Sequence, residues 1–188
     1  MAIEKWSLLD SEMVFDHRWY QLRRDRVRLP DGTEVDDYFV SVRPNVAMVF
    51  PVTSNGDVIF VRQYKHGAQD ITLELPAGTF DSERPDDAAR RELVEETGHH
   101  ADELIPLGWI WEDATRNTSR LYMFLGLDCR PTGRQDLQEL ERSAGIEVVS
   151  VPLHDVMPRV RSGEIRVMSV YSTILRALDE LALRGIKG

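Results

Sequence analysis

The chain has 188 residues, 42% of them apolar, enough to bury the core of one ordinary domain with a small appendage. A formal charge of -9 argues against a long nucleic-acid-binding surface, because tracking phosphates needs clustered Lys and Arg; an acidic protein that handles phosphate would use metal ions to reverse the local sign. Residues 1 to 20 hold no apolar stretch of signal-peptide length, and nowhere do about eighteen apolar residues run together, so neither export nor membrane insertion is expected.

In chain order, the first forty residues read as β-rich. MVFDHRWYQLRRDRVRLP alternates in places, Pro30 to Gly32 is a turn signal, and EVDDYFVSV resumes extended character, which predicts two or three strands and a hairpin. VAMVFPVT and DVIFVRQY are β-branched and aromatic runs separated by Ser54, Asn55 and Gly56, a second hairpin. After ITLELPAG the pattern turns helical from about Pro85 to Thr97, with Pro85 suited to the first turn and Gly98 to the stop. LIPLGWIW and SRLYMFLGLD are extended again, joined by the polar stretch Glu112 to Thr118 in a hairpin-like connection. The polar segment Arg130 to Gly145 is expected to form a mobile loop, with room for a short helix at DLQELERS. A strand at IEVVSVPL follows, then helices at HDVMPRVRSG and at about Ser169 to Leu183, where Ile174, Leu175, Leu178 and Leu181 recur at helical spacing. The single cysteine, Cys129, lies in an apolar run and reads as a buried structural thiol of a protein in the reducing cytosol.

Glu92, Glu95 and Glu96 are three and four residues apart, so their carboxylates share one face of the central helix. Like charges at this spacing cost an isolated helix about 0.2–0.5 kcal/mol per pair, a penalty that a bound cation offsets. An acidic helix face is also common as solvated surface, so the three glutamates alone leave both readings open. Their surroundings favour a site: Gly78 lets backbone come close to a ligand, Ala77 offers a carbonyl, the acidic loop Asp81 to Glu83 leads into the helix, and Arg91 stands four residues before Glu95.

The stretch LPAGTFDSERPDDAARRELVEETGH resembles the Nudix box: a glycine, a spaced glutamate, then Arg-Glu-aliphatic-x-Glu-Glu-x-Gly. Gly78, Arg91, Glu92, Leu93, Glu95, Glu96 and Gly98 fall on that pattern. Two positions depart from it. Four residues rather than five separate Gly78 from Glu83, although Glu83 keeps its usual interval to Arg91, and His99 replaces the closing aliphatic residue. The resemblance implies a hydrolase that splits a diphosphate linkage with water and Mg²⁺ or Mn²⁺. It implies Glu92 and Glu96 as principal metal ligands, completed by the Ala77 carbonyl, Glu95 and Glu83, with Arg91 orienting the glutamates by ion pairing. Oxygen ligands suit such hard cations.

Beyond the box, VRQYKHGAQDITLELPAG is similar to the segment preceding it in the branch that hydrolyses ADP-ribose and other nucleoside diphosphate sugars. Gln63, Tyr64, Leu73, Glu74, Pro76, Ala77 and Gly78 match, while Lys65 replaces an arginine, keeping the charge but losing bidentate grip. Arg62, Lys65, Glu74, Arg116 and Arg120 are the candidate contacts to a small-molecule nucleotide; Tyr20, Trp19, Tyr38, Trp109 and Trp111 are open either to base stacking or to packing. In this branch a glutamate just before the strand corresponding to IEVVSV often serves as catalytic base. That register holds Ala144, so Glu139 or Glu141 reaches in from the loop, or a box glutamate, Glu92 or its neighbour Glu95, activates the water. The resemblance further implies an α/β/α sandwich with a mixed sheet over residues 44–188, preceded by a small β subdomain at 1–43 through which this branch forms homodimers. Two other readings share the motif: a nucleoside triphosphate or capped-RNA hydrolase, and a catalytically silent Nudix fold that binds a ligand.

Overall fold

The computed structural model describes residues 3–137 and 139–186, without the side chains of Leu140 and Glu141. They form two compact units, one made of residues up to Asn45 together with Trp111–Arg120, the other of Val46–Ile110 together with residues from Leu121 on.

The first unit is a three-stranded antiparallel sheet, β1 (Ser7–His17), β2 (Tyr20–Arg28) and β3 (Glu34–Val42), in that order. The expected Pro30–Gly32 turn closes the β2–β3 hairpin, where the Leu29 N–H donates to the Thr33 carbonyl at 2.8 Å. The polar segment after Trp111 turns as the expected hairpin-like connection, with the Asn117 N–H donating to the Asp113 carbonyl at 3.0 Å. It is fastened to β3: the Ser41 N–H donates to the Arg116 carbonyl (2.8 Å), the Thr118 N–H to the Ser41 carbonyl (3.1 Å), and the Tyr38 hydroxyl to the Thr115 carbonyl (2.6 Å). An edge strand with unpaired backbone groups thereby gains partners.

The second unit is built on an eight-stranded mixed sheet. Its strands are β4 (Asn45–Thr53), β5 (Asp57–Lys65), β6 (Asp70–Glu74), β7 (Ala77–Phe80), β8 (His99–His100), β9 (Glu103–Trp111), β10 (Arg120–Pro131) and β11 (Ile146–Pro152). The central order is β11-β5-β4-β10-β8, with β6 beside β5, β7 beside β4 and β9 beside β10. β4 and β10 run parallel, whereas β5 is antiparallel to β4, β6 and β11. The side-chain period of two decides which layer each residue joins. On β4, Met48, Phe50 and Val52 face one way and pack with Leu121, Met123 and Leu125 of β10 against α3 (Leu153–Ser162) and α4 (Met168–Leu183). Ala47 and Val49 face the other way and meet Ala88, Ala89 and Leu93 of α1 (Pro85–Thr97). Helices thus cover both faces, giving the α/β/α sandwich that the resemblance implies. Among the described residues no helix is long and apolar enough to cross a membrane.

The segment expected to be a mobile loop is tethered. Its first two residues finish β10, Thr132 to Asp136 bond to the end of α1, and a short helix, α2, occupies Glu139–Ala144. Polar residues in that stretch supply donors that the terminal carbonyls of α1 lack.

Candidate active site

α1 begins at Pro85, whose missing N–H costs nothing at that position, and carries Asp86 and Asp87 in its first turn, where acidic groups favour the positive helix end. It ends at Gly98, whose N–H donates to the Val94 carbonyl at 2.8 Å and whose φ of 66° then turns the chain out of the helix. Between these stops Ala88, Ala89 and Leu93 lie on the sheet, and the same rotation buries two carboxylates: Glu92 and Glu96 are each only 3% exposed.

Gly78 makes that burial feasible. A Cβ at this position would overlap the Glu92 carboxylate, so the missing side chain leaves the space that the carboxylate fills. On the adjoining residue the Ala77 N–H donates to Glu96 Oε2 at 3.0 Å. Arg91 gathers the rest: its guanidinium lies 2.6 Å from Glu83, 2.6 Å from Glu92 and 3.1 Å from Glu95. The hydrogen bond to Glu83, with further support from Glu92 and the charge of Glu95, outweighs desolvation and raises the Arg91 pKa above its already high ordinary value. The shortened loop therefore still delivers Glu83 to the helix. His99 sits at a strand edge, its Nδ1 2.8 Å from the Thr97 carbonyl.

The structure thus brings Ala77, Gly78, Glu83, Arg91, Glu92, Glu95 and Glu96 into one cluster. Its all-oxygen, partly buried donor set fits a hard divalent cation. Among the described residues no three His, Cys, Asp or Glu side chains are already disposed as a ready cation site, and Arg91 engages Glu83, Glu92 and Glu95.

The other predicted contacts fall into separate groups. Lys65 is 3.7 Å from Glu74, a carboxylate 8% exposed that also accepts the Thr72 hydroxyl at 2.5 Å. Arg62 is held between Glu147 at 3.0 Å and Glu164 at 3.7 Å. In the first unit Arg116 lies over the Tyr38 ring and Arg120 over Trp111, at 5.6 and 4.9 Å from the ring centroids. Trp19 and Tyr20 are exposed there, while Trp109 of the second unit leans on Tyr122. Glu139 opens α2 and is exposed; the side chain of Glu141 lies outside the described residues. Sequence reasoning missed Thr72, Thr132, Gln135 and Asp136. Thr72 was detectable as an inward position in the alternation of β6, but nothing marks the other three, which meet α1 only through the fold.

A buried carboxylate helix opposed by a glycine strand, on a mixed sheet covered by helices, defines a Nudix protein. The NUDIX domain model matches residues 41–170, and the model of the nucleoside diphosphate sugar hydrolase N-terminal domain matches residues 6–41. The chain belongs to the Nudix family. It is 33% identical over 170 residues to an ADP-ribose pyrophosphatase of Mycobacterium tuberculosis (strain ATCC 25618 / H37Rv), covering 88% of this chain and 79% of that protein. It is 28% identical over 155 residues to an ADP-ribose pyrophosphatase of Bacillus subtilis (strain 168), covering 82% of each. The crystal structure of an ADP compounds hydrolase superposes over the full length of both chains with a TM-score of 0.86 at 21% identity, a likeness of fold.

Proposed function

We propose that this protein hydrolyses the diphosphate linkage of ADP-ribose or another nucleoside diphosphate sugar, giving a nucleoside monophosphate and a sugar phosphate. The observation that carries the reading is the union, in one chain, of a nucleoside diphosphate sugar hydrolase N-terminal segment with a NUDIX domain whose carboxylates are gathered on α1. The names of the two relatives support it. Glu92 and Glu96, with Glu95, Glu83 and the Ala77 carbonyl, would hold Mg²⁺ or Mn²⁺. Such a cation, when bound, neutralises diphosphate charge and lowers the pKa of water. Arg91 keeps the carboxylates aligned, Gly78 gives Glu92 its place, and Lys65, Arg62, Arg116 and Arg120 are the cationic residues offered to phosphate and ribose. In the reaction, water oxygen bonds to phosphorus, the bridging P–O bond breaks, and a carboxylate takes the water proton.

That base is a box glutamate, Glu92 or Glu95, or one of Glu139 and Glu141. Glu139→Gln and Glu141→Gln decide the matter: if neither lowers kcat beyond about twofold, the late segment is excluded and the box supplies the base. The substrate reading is tested by product chromatography with ADP-ribose, other sugar nucleotides and nucleoside triphosphates, each with Mg²⁺ and Mn²⁺. A preference for triphosphates would sink it.

The assembly proposed is a homodimer formed through the N-terminal sheet. Supporting this, Trp6, Leu8, Phe15, Trp19 and Tyr20 of that unit are exposed, more large apolar surface than a lone small sheet usually leaves to water. Light scattering at micromolar concentration that returns the 21.6 kDa of one chain refutes it. The buried Cys129 thiol agrees with residence in the reducing cytosol.

A further inference from the structure

The last turn of α1 carries no basic side chain. Lys or Arg there ordinarily offsets the negative helix end and bonds its orphan carbonyls. Here the donors come from the far side of β10. The Asp136 N–H donates to the Glu95 carbonyl at 2.9 Å and Gln135 Nε2 to the Glu96 carbonyl at 2.5 Å. The Thr132 N–H and hydroxyl both reach the Gly98 carbonyl, at 2.6 and 2.9 Å. Gly98 admits this approach, since a Cβ there would stand 3.0 Å from the Arg134 carbonyl carbon and 3.2 Å from the Gln135 nitrogen.

Among these donors Gln135 differs, because its side chain reaches two elements. Its Nε2 also lies 3.5 Å from the carbonyl of Ile146, the first residue of β11. The chain of bonds continues through Glu96, whose backbone carbonyl takes the Gln135 amide while its carboxylate takes the Ala77 N–H. One half-buried amide therefore ties the start of β11 to the residue whose carboxylate is docked on β7.

We infer that Gln135 is a positioning residue: it caps the carboxylate-bearing end of α1 and fixes where the Glu96 carboxylate stands against Ala77. The inference deepens the proposed function, because it takes the box carboxylates as the reactive cluster. A loosened cap frays the turn carrying Glu95 and Glu96, and the ångström-scale displacement that follows weakens cation binding and chemistry more than it weakens the grip on substrate.

Three substitutions in the full chain test this. Gln135→Leu removes the donors at similar volume, Gln135→Glu sets a negative charge against two carbonyls, and Gln135→Lys keeps a donor and adds the charge a helix C-terminus favours. Three readouts accompany them: amide exchange at Thr97 and Gly98, Mn²⁺ affinity by electron paramagnetic resonance without nucleotide, and kcat and KM on whichever substrate the wild type turns over. Gln135→Leu should speed exchange, weaken Mn²⁺ and lower kcat by about tenfold with KM unchanged, Gln135→Glu should do more, and Gln135→Lys should restore wild-type behaviour. Wild-type exchange and Mn²⁺ affinity in both damaging variants overturn the inference. Faster exchange with wild-type Mn²⁺ affinity and kcat also overturns it, reducing Gln135 to a cap. If the wild type hydrolyses no sugar nucleotide the functional reading fails separately, and exchange with Mn²⁺ binding still decides the role of Gln135.

Discussion

Gly78→Ala probes the cluster at its tightest point. A Cβ there falls on the Glu92 carboxylate, and because Gly78 is outside the left-handed region the effect is steric rather than conformational. The carboxylate is the far end of a flexible side chain, but it is 3% exposed and holds Arg91 at 2.6 Å. To regain ordinary contact it must retreat by roughly 1–2 Å. Overpacking of this kind costs about 1–3 kcal/mol, and in a chain of this length each kcal/mol lowers Tm by about 2–4 °C. Several degrees are therefore expected in a calorimetric melt. The functional loss should be larger, since displacing a reactive group by an ångström costs on the order of 10²-fold in rate. Hydrolysis at saturating cation and a Mn²⁺ titration read it out. A Gly78→Ala protein with wild-type kcat and wild-type Mn²⁺ affinity refutes the idea that Gly78 sets the position of Glu92.

Other consequences can be checked with the same preparations. Chelation with EDTA should abolish hydrolysis yet leave the chain folded, removing only the mass-action stabilisation of the lost cation, about 2.7–4.1 kcal/mol at a hundred to a thousand times Kd; outright unfolding would show that the carboxylates need metal to assemble. Gly98→Ala forces a side chain into φ 66° against the Arg134 backbone and should destabilise by about 1–2 kcal/mol, so an unchanged melt contradicts the close approach. Burial pushes the Cys129 thiol up to about 12 from its ordinary 9.0. Between those values the unfolded chain binds fewer protons than the folded one, so this contribution to stability is whole below pH 9 and declines as pH rises toward 12. Cys129→Ala should flatten that decline in denaturant titrations above pH 9, and parallel curves for the two proteins would disprove it.

The elements legible in the sequence were those with local causes. Pro85 and Gly98 mark α1 at the residues where it begins and ends. Alternation and turn residues mark the first hairpins, because strand faces and turn conformations are written within a few residues. What escaped depends on residues distant in the chain. Glu112 to Thr118 reads only as a hairpin-like connection, yet it also bonds to Tyr38 and Arg43, 77 and 75 positions away. Thr132 to Asp136 reads as mobile for the same reason: polarity signals exposure in the chain and satisfied carbonyls in the fold. In the site, helical spacing places Glu92, Glu95 and Glu96 on one face, but their roles and those of Glu83 and Arg91 were legible only through the resemblance to the Nudix box. Gly78 was legible as a close approach, but what approaches is the Glu92 carboxylate, which only the packing of β7 on α1 reveals.

An acidic chain can hold this cluster because the repulsion is met twice over by groups within it. One guanidinium engages Glu83, Glu92 and Glu95, and one backbone N–H engages Glu96. A planar fork suits the first task in a way a lysine ammonium does not, since its donors are fixed relative to one another and so fix the carboxylates as well. Removing a partner from a buried charge is costly, and Glu92, 3% exposed, leans on the Arg91 guanidinium at 2.6 Å, so the same ion pairs that gather the carboxylates also stabilise their burial.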